Sequence, residues 1–301
     1  MWRVDDRRVP SGSSEHVGDD TPGPRTHTFK PSRAKVETMP TPTLDRITVY
    51  PVKSLDGHDL DRATVLEAGG LSHDREWAIA DARGDYVTGK RNRPIHRLRS
   101  TFDPGRRLAL RETGREEVST FDLDEPDRLQ AWLSEFFGEP VTLDRNERGG
   151  FPDDTHAAGP TVISTATLEA VAGWFDLPVE DVRRRFRANL EVGGVPAFWE
   201  DRLYTDPEHV VAFRVGPVTF EGVNPCQRCA VPSRDPDTGA ETPGFRERFV
   251  EKRAATLPEW ADRAWFDHYY RLMVNTRVPE ESVRRELGVG DAIELVEERP
   301  A

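Results

Sequence analysis

Asn224-Pro-Cys-Gln-Arg-Cys-Ala-Val-Pro-Ser-Arg-Asp-Pro-Asp-Thr-Gly239 holds the only two cysteines of the 301-residue chain, three positions apart. Two cysteines cannot staple a chain of this size, so the pair points to a reducing compartment and to chemistry. The residues themselves leave four readings open. Half of a zinc site would need two more ligands, yet there is no second Cys-x-x-Cys, and His209 and His268 lack finger spacing. A thioredoxin-like redox pair would open a helix after a strand, whereas this segment runs on into Pro, Asp and Gly. The others are two small buried residues, or a thiolate acting as soft ligand, favoured by the Arg228 guanidinium next to Cys229. Asp235-Pro-Asp-Thr-Gly239 reads as a turn that holds the loop.

Around this loop the chain is acidic and poor in lysine. It has 42 Lys+Arg against 54 Asp+Glu, a net charge of −12, and lysine only at Lys30, Lys35, Lys53, Lys90 and Lys252. Such a surface repels phosphate backbones, so no nucleic-acid partner is expected, and it suits a high-salt cytoplasm where screening relieves self-repulsion. No stretch approaches the roughly 18 consecutive apolar residues of a membrane span. Asp5, Asp6, Arg7, Arg8, Asp19 and Asp20 stand where a signal peptide would be apolar, so the protein is expected to be cytoplasmic, without membrane contact.

Length predicts about two domains. Residues 1–40 read as a disordered tail, since Ser11-Gly-Ser-Ser14 and Pro22-Gly-Pro24 interrupt any period, and Met39 is an alternative start. From Leu44 onward short β-type runs follow at Arg46–Tyr50, Ala63–Glu67, Trp77–Ala80, Tyr86–Thr88, Arg97–Phe102, Arg107–Arg111 and Glu117–Phe121, the spacing of a barrel or sandwich. A helix over 124–137 carries Leu129, Trp132, Leu133 and Phe136 on one face and stops at Gly138. Residues 144–160 read as the connection between halves. Beyond it come a strand at 161–163, a helix from Thr165 to Phe175, a charged segment at 182–187, strands near 210–213 and 218–221, a helix at 244–255 and a closing strand at 292–296. The expectation is an α+β chain, mainly β, with halves at 41–150 and 151–301. The aromatic stripe Trp260, Trp265, Phe266, Tyr269 and Tyr270 reads as core.

The cysteine loop resembles that of the MOSC domain, named for the C-terminal part of molybdenum-cofactor sulfurase. Tyr50-Pro-Val-Lys-Ser54, Gly70-Leu-Ser-His-Asp-Arg-Glu-Trp77 and Arg185-Phe-Arg-Ala-Asn189 fall in that family's order and approximate spacing. The resemblance runs from about residue 44 to 298. It is closer to two-part proteins related to the mitochondrial amidoxime-reducing component and its bacterial hydroxylamine-reducing relatives. It implies an N-terminal MOSC β-barrel-like half followed by a MOSC β-barrel domain.

The resemblance also implies a site. Cys229 would ligate molybdenum, with Cys226 in a lesser structural role. Lys53, Ser54, Arg75, Arg187 and Asn189 would hold the molybdopterin, with Arg228 and, at the start of a helix, Ser164 and Thr165 as further contacts. Asp153 falls where relatives carry a Pro-Asp near the metal and would relay protons, although Asp154–Gly159 is an insertion there. An anionic pterin phosphate needs cations and donors, and the metal needs a soft sulfur, which is the set these residues supply. The helix start admits an ordinary N-cap as readily as a phosphate site. Ala188 stands where the family has proline.

The activity implied is reduction of a small N-hydroxylated substrate, such as a hydroxylamine, amidoxime or hydroxylated nucleobase. The alternative is a sulfur or cofactor carrier, and a blander one a metal-free redox sensor. No Gly-x-Gly-x-x-Gly or second cysteine cluster occurs, so no intrinsic nicotinamide, flavin or iron–sulfur site is expected. Electrons would come from a separate protein of ferredoxin, flavin-reductase or cytochrome type. The two halves leave no room for an aminotransferase-like domain, so pyridoxal phosphate is not expected.

Overall fold

The computed structural model describes residues 41–301, and the tail expected over 1–40 lies outside them apart from its boundary. Strand β1 (Thr43–Val49) buries Leu44, Ile47 and Val49, and a bulge between Leu44 and Arg46 lets residues an odd number apart face the same core. β2 (His58–Leu60) and β3 (Arg62–Thr64) follow. β4 (Trp77–Asp81) leads to the meander of β5 (Leu98–Asp103), β6 (Arg107–Glu112) and β7 (Val118–Asp122). Helix α1 (Asp127–Phe137) packs Leu129 and Leu133 onto them and ends where Gly138 turns left-handed. β8 (Val141–Arg145) then returns to pair with β4.

The remaining chain comprises β9 (Val162–Ser164), α2 (Thr165–Phe175), α3 (Val179–Phe186), β10 (Leu190–Gly193), β11 (His209–Val215) and β12 (Val218–Gln227). It closes with α4 (Phe245–Ala255), β13 (Arg271–Arg277), β14 (Glu286–Gly288) and β15 (Ile293–Pro300). An eight-stranded sheet runs β15-β11-β12-β13-β9-β10-β1-β2, and β3 pairs with β14. The fold is α+β, mostly strands with four α-helices among the described residues, in line with the sequence reading.

Packing crosses the boundary expected near residue 150. Leu44, Ile47, Val49 and Val65 share a core with Val162, Phe213, Phe220 and Ile293, while β4–β8 enclose a second core around Ile79, Leu110 and Leu133. The described residues, 41–301, lie in one compact unit.

Several elements differ from expectation for physical reasons. β13 is buried along its length with Asn275 and Thr276 inside, so it shows no period-two alternation. β10 is four residues long and buries Glu191 against Arg183, at 2.8 Å. The charged segment at 182–187 belongs to helix α3, which buries Val182, Arg185 and Phe186 at i, i+3 and i+4. β12 continues through Pro225 to Gln227, accommodated by irregularities in its pairing with β13. Of the aromatic stripe, Tyr270 is core, Trp260 is 39% exposed and Trp265 reaches the cleft described below.

Candidate active site

Both sheet systems meet at the turn after β1. Lys53 and Ser54 follow Tyr50 there, and the Lys53 amide bonds the Trp77 carbonyl at 2.7 Å, which brings the Arg75 segment alongside. Tyr50 is buried, and its hydroxyl donates to the Ala188 carbonyl at 3.1 Å. Two guanidiniums lie on its ring, Arg187 at 4.0 Å and Arg75 at 5.0 Å from the centroid. The hydrogen bond to Ala188 holds the turn at Arg187 where the family has a proline.

Asp153 is brought to the same place by Gly149-Gly150. A Cβ on Gly150 would lie 2.3 Å from the Asp74 carbonyl, and one on Gly149 2.4 Å from the Ala68 Cβ, so only glycines let this loop lie flat on residues 68–75. The Lys53 ammonium then donates to Asp153 Oδ1 at 2.6 Å and to the Phe151 carbonyl at 2.8 Å. Burial within the cleft walls would raise the Asp153 carboxyl, but the charges of Arg75, Lys53 and Arg187 outweigh it and hold it at about 2. Asp153 is therefore ionised across the neutral range, an ion-pair partner and acceptor.

The arginines of α3 divide their work. Arg183 pairs with Glu191, and Arg184 donates to Asp237 at 2.8 Å. Arg185, 3% exposed, donates to the carbonyls of Pro232 at 3.0 Å and Arg234 at 2.6 Å. The latter two clamp the cysteine loop. Arg187, just past the helix, turns left-handed (φ 58°) into the cleft, and among the described residues no carboxylate pairs with it and no acceptor takes its protons. Burial pushes its guanidinium down from the ordinary value, the mark of a cation short of counter-charge.

Cys226 is the penultimate residue of β12, half-buried, and Cys229 lies exposed beyond the strand. Arg228 was expected to stand by Cys229, but its guanidinium donates to Cys226 Sγ at 3.0 Å, Met273 Sδ at 3.3 Å and the Phe186 carbonyl at 3.0 Å. Cys229 Sγ accepts only the Val231 amide, at 3.4 Å, and otherwise opens to the cleft. The expected turn forms, Asp235 Oδ1 accepting from the Asp237 and Thr238 amides at 3.1 and 2.8 Å.

The cleft so formed has a volume of about 830 Å³, in the range of ligand and cofactor sites. Ten Lys and Arg line it against four Asp, an excess of positive charge inside a chain of −12. Four of its residues, Ser54, Arg75, Arg187 and Met273, hold positive φ of 74°, 51°, 58° and 62°. Each such residue costs about 1–2 kcal/mol, and strain of this kind collects where geometry serves binding.

Lys53, Ser54, Arg75, Asp153, Arg187, Asn189, Arg228 and Cys229 all line the cleft. Asn189 does so with its amide committed, donating to the Thr48 carbonyl at 3.0 Å and accepting from Thr161. Ser164 and Thr165 do not join them. Ser164 is fully buried and caps α2, its Oγ accepting from the Thr167 amide at 3.1 Å. The acidic group at that helix end is the protein's own Glu200 carboxyl, whose Oε2 accepts from the Ser164 amide at 3.2 Å and Thr167 Oγ1 at 3.0 Å. Glu200 lies 36 residues from Ser164, so no local pattern announces it. The Tyr50 platform stands in a quoted motif, but its two arginines, 25 and 137 residues away, meet it only in the fold.

Family models match both parts of the chain, the MOSC N-terminal beta barrel domain over residues 41–125 and the MOSC domain over 132–294. The chain belongs to the MOSC family. It is similar to the molybdenum cofactor sulfurases of Oryza sativa subsp. japonica (26% identical over 250 residues, 65% of this chain and 29% of that one) and Homo sapiens (22% over 257 residues, 68% and 28%). The match spans under a third of the length of these relatives. A solved structure, the YUAD protein from Bacillus subtilis, aligns over 85% of this chain and 95% of its own at 14% identity, with a TM-score of 0.35, too loose to define a shared fold.

Proposed function

We propose that the protein binds the molybdenum cofactor in this cleft and reduces N-hydroxylated compounds there. The observation that carries the reading is Arg187, a cleft cation that makes no ion pair or hydrogen bond among the described residues, in the same cleft as the open sulfur of Cys229. Arg187, Arg75 and Lys53 would hold the phosphate and pterin, and Cys229 would supply the thiolate ligand. When bound, the metal supplies the two-electron oxygen chemistry. The balance is R–NHOH + 2e⁻ + 2H⁺ → R–NH₂ + H₂O. Asp153, ionised, accepts the Lys53 hydrogen bond and keeps that ammonium in place.

The sulfurase names of the relatives favour a second reading about equally: a module that receives cofactor or sulfur without redox turnover. Both require the cofactor, so turnover separates them. Protein from a cofactor-competent host is expected to carry molybdenum and pterin and, reduced chemically with methyl viologen, to convert benzamidoxime. Cys229→Ser should abolish conversion, and Cys226→Ser should largely spare it. Molybdenum without turnover supports the carrier; a clean protein without molybdenum sinks both.

A further inference from the structure

The segment Thr88-Gly-Lys-Arg-Asn-Arg-Pro-Ile-His-Arg-Leu-Arg99 has five Lys and Arg and no carboxylate, within a chain of −12. Its last two cations are tied down, Arg97 to Glu112 at 2.5 Å and Arg99 to Asp56 at 2.9 Å. Lys90, Arg91 and Arg93 are exposed. Their one ion pair among the described residues is Arg91 with Asp85, at 3.6 Å, both side chains more than half exposed, a contact worth little.

This run is stitched to the cysteine loop. Arg234 donates to the Lys90 carbonyl at 3.4 Å, and Arg93 Nε to the Thr238 carbonyl at 3.3 Å. A Cβ on Gly89 would lie 3.6 Å from Val231 Cγ2, and the Val231 amide is the one bonded to Cys229 Sγ. The three exposed cations thus stand on the rim of the cleft, on the side of Cys229. Asp237 pairs with Arg184, Asp235 bonds its own turn and Asp153 pairs with Lys53.

We propose that Lys90, Arg91 and Arg93 form the docking rim for an acidic one-electron carrier protein; this rests on the reductase reading above, which requires an external donor. An acidic carrier is repelled by most of a −12 surface and attracted at this rim, so the field orients it with its redox centre toward the cleft. Two reduced carriers are each oxidised by one electron per turnover, matching the two electrons and two protons that convert R–NHOH to R–NH₂ and water.

The test uses the holoenzyme with benzamidoxime and two donors, an acidic [2Fe–2S] ferredoxin and methyl viologen. For the wild type, kcat/KM for reduced ferredoxin should fall about tenfold or more between about 20 mM and about 300 mM salt, while the viologen rate stays within about twofold. Arg91→Glu/Arg93→Glu should lower the ferredoxin kcat/KM by about tenfold at low salt, and Arg91→Gln/Arg93→Gln by about threefold, with viologen turnover unchanged. The Gln pair keeps side-chain donors toward the Tyr86 and Thr238 carbonyls and so controls for folding. Equal losses with both donors, a ferredoxin rate indifferent to salt and to both variants, or no ferredoxin turnover beside brisk viologen turnover would each overturn the docking rim. No turnover with viologen defeats the reductase reading itself, which keeps the two failures apart.

Discussion

The N-terminus of α2 and the cleft wall at Arg187 are both built to receive an acidic group, and they differ in where that group comes from. At α2, Glu200 from a distant segment fills the place, buried, bonded to the Ser164 amide and Thr167 hydroxyl. At the cleft, Arg187 lies on Tyr50 beside Arg75 and makes no direct ion pair among the described residues. A receptor filled by the chain's own carboxyl is closed to a ligand. One that leaves a cation short of counter-charge raises the energy of the empty protein and returns that energy as affinity when an anion binds.

The largest expected effect tests the open receptor. Arg187→Met should lower retention of the pterin by about ten- to a hundredfold, the loss of one or two charge-assisted hydrogen bonds. Ser164→Ala should retain pterin at the wild-type level and lose about 1 kcal/mol of stability through its cap. Pterin fluorescence on the denatured holoprotein and thermal melts read both, and pterin loss of equal size in Ser164→Ala would erase the distinction.

The filled receptor has its own signature. Burial, then the adjacent Asp201 charge, pushes the Glu200 carboxyl above its ordinary value, so the native state holds a proton that the unfolded chain releases. Stability from this group is full below the ordinary carboxyl value and falls as pH rises from there toward the folded value, by up to about 1.4 kcal/mol per pH unit. Glu200→Gln should flatten that fall in denaturant titrations. A slope unchanged in the variant would mean that Glu200 enters the fold ionised.

The smallest effect concerns Asp153, held low by Arg75 and Lys53 against its burial. Its stabilisation is present above the ordinary aspartate value and lost as pH falls toward about 2. Asp153→Asn should cost less than about 1 kcal/mol at neutral pH, since its carboxylate is 77% exposed. The shape of the pH–rate profile between about pH 5 and 8 should not change, because the group is already ionised there. A vanished acid limb in the variant would restore the proton relay.

Much of the β order was visible in local pattern. β4 to β7 alternate or bury short apolar runs, and α1 shows its face at Leu129, Trp132, Leu133 and Phe136. β13 was not visible, because a strand covered on both faces with Asn275 and Thr276 inside has no period. Nor was the sharing of β1–β3 with the second sheet, since hydrogen bonds between residues 47 and 190 leave no trace in sequence spacing. In the site, the cysteine loop and the Lys-Ser and Arg motifs came to one cleft, whereas Ser164 and Thr165, indistinguishable in pattern from a phosphate-binding helix start, did not.

The residue types alone determined which chemistry was available: one Cys-x-x-Cys, a few cations kept in an acidic chain, and motifs that place them in order along a β-rich fold. Tertiary structure decided which of those groups are free to act. Arg183, Arg184, Arg185 and Arg187 are near-identical in sequence, and three of them spend their charge on Glu191, Asp237 and loop carbonyls. Arg228 sits next to Cys229 in the chain and turns to Cys226 in space. Whether a charged group is satisfied depends on partners brought from far along the chain, and only packing assigns those partners.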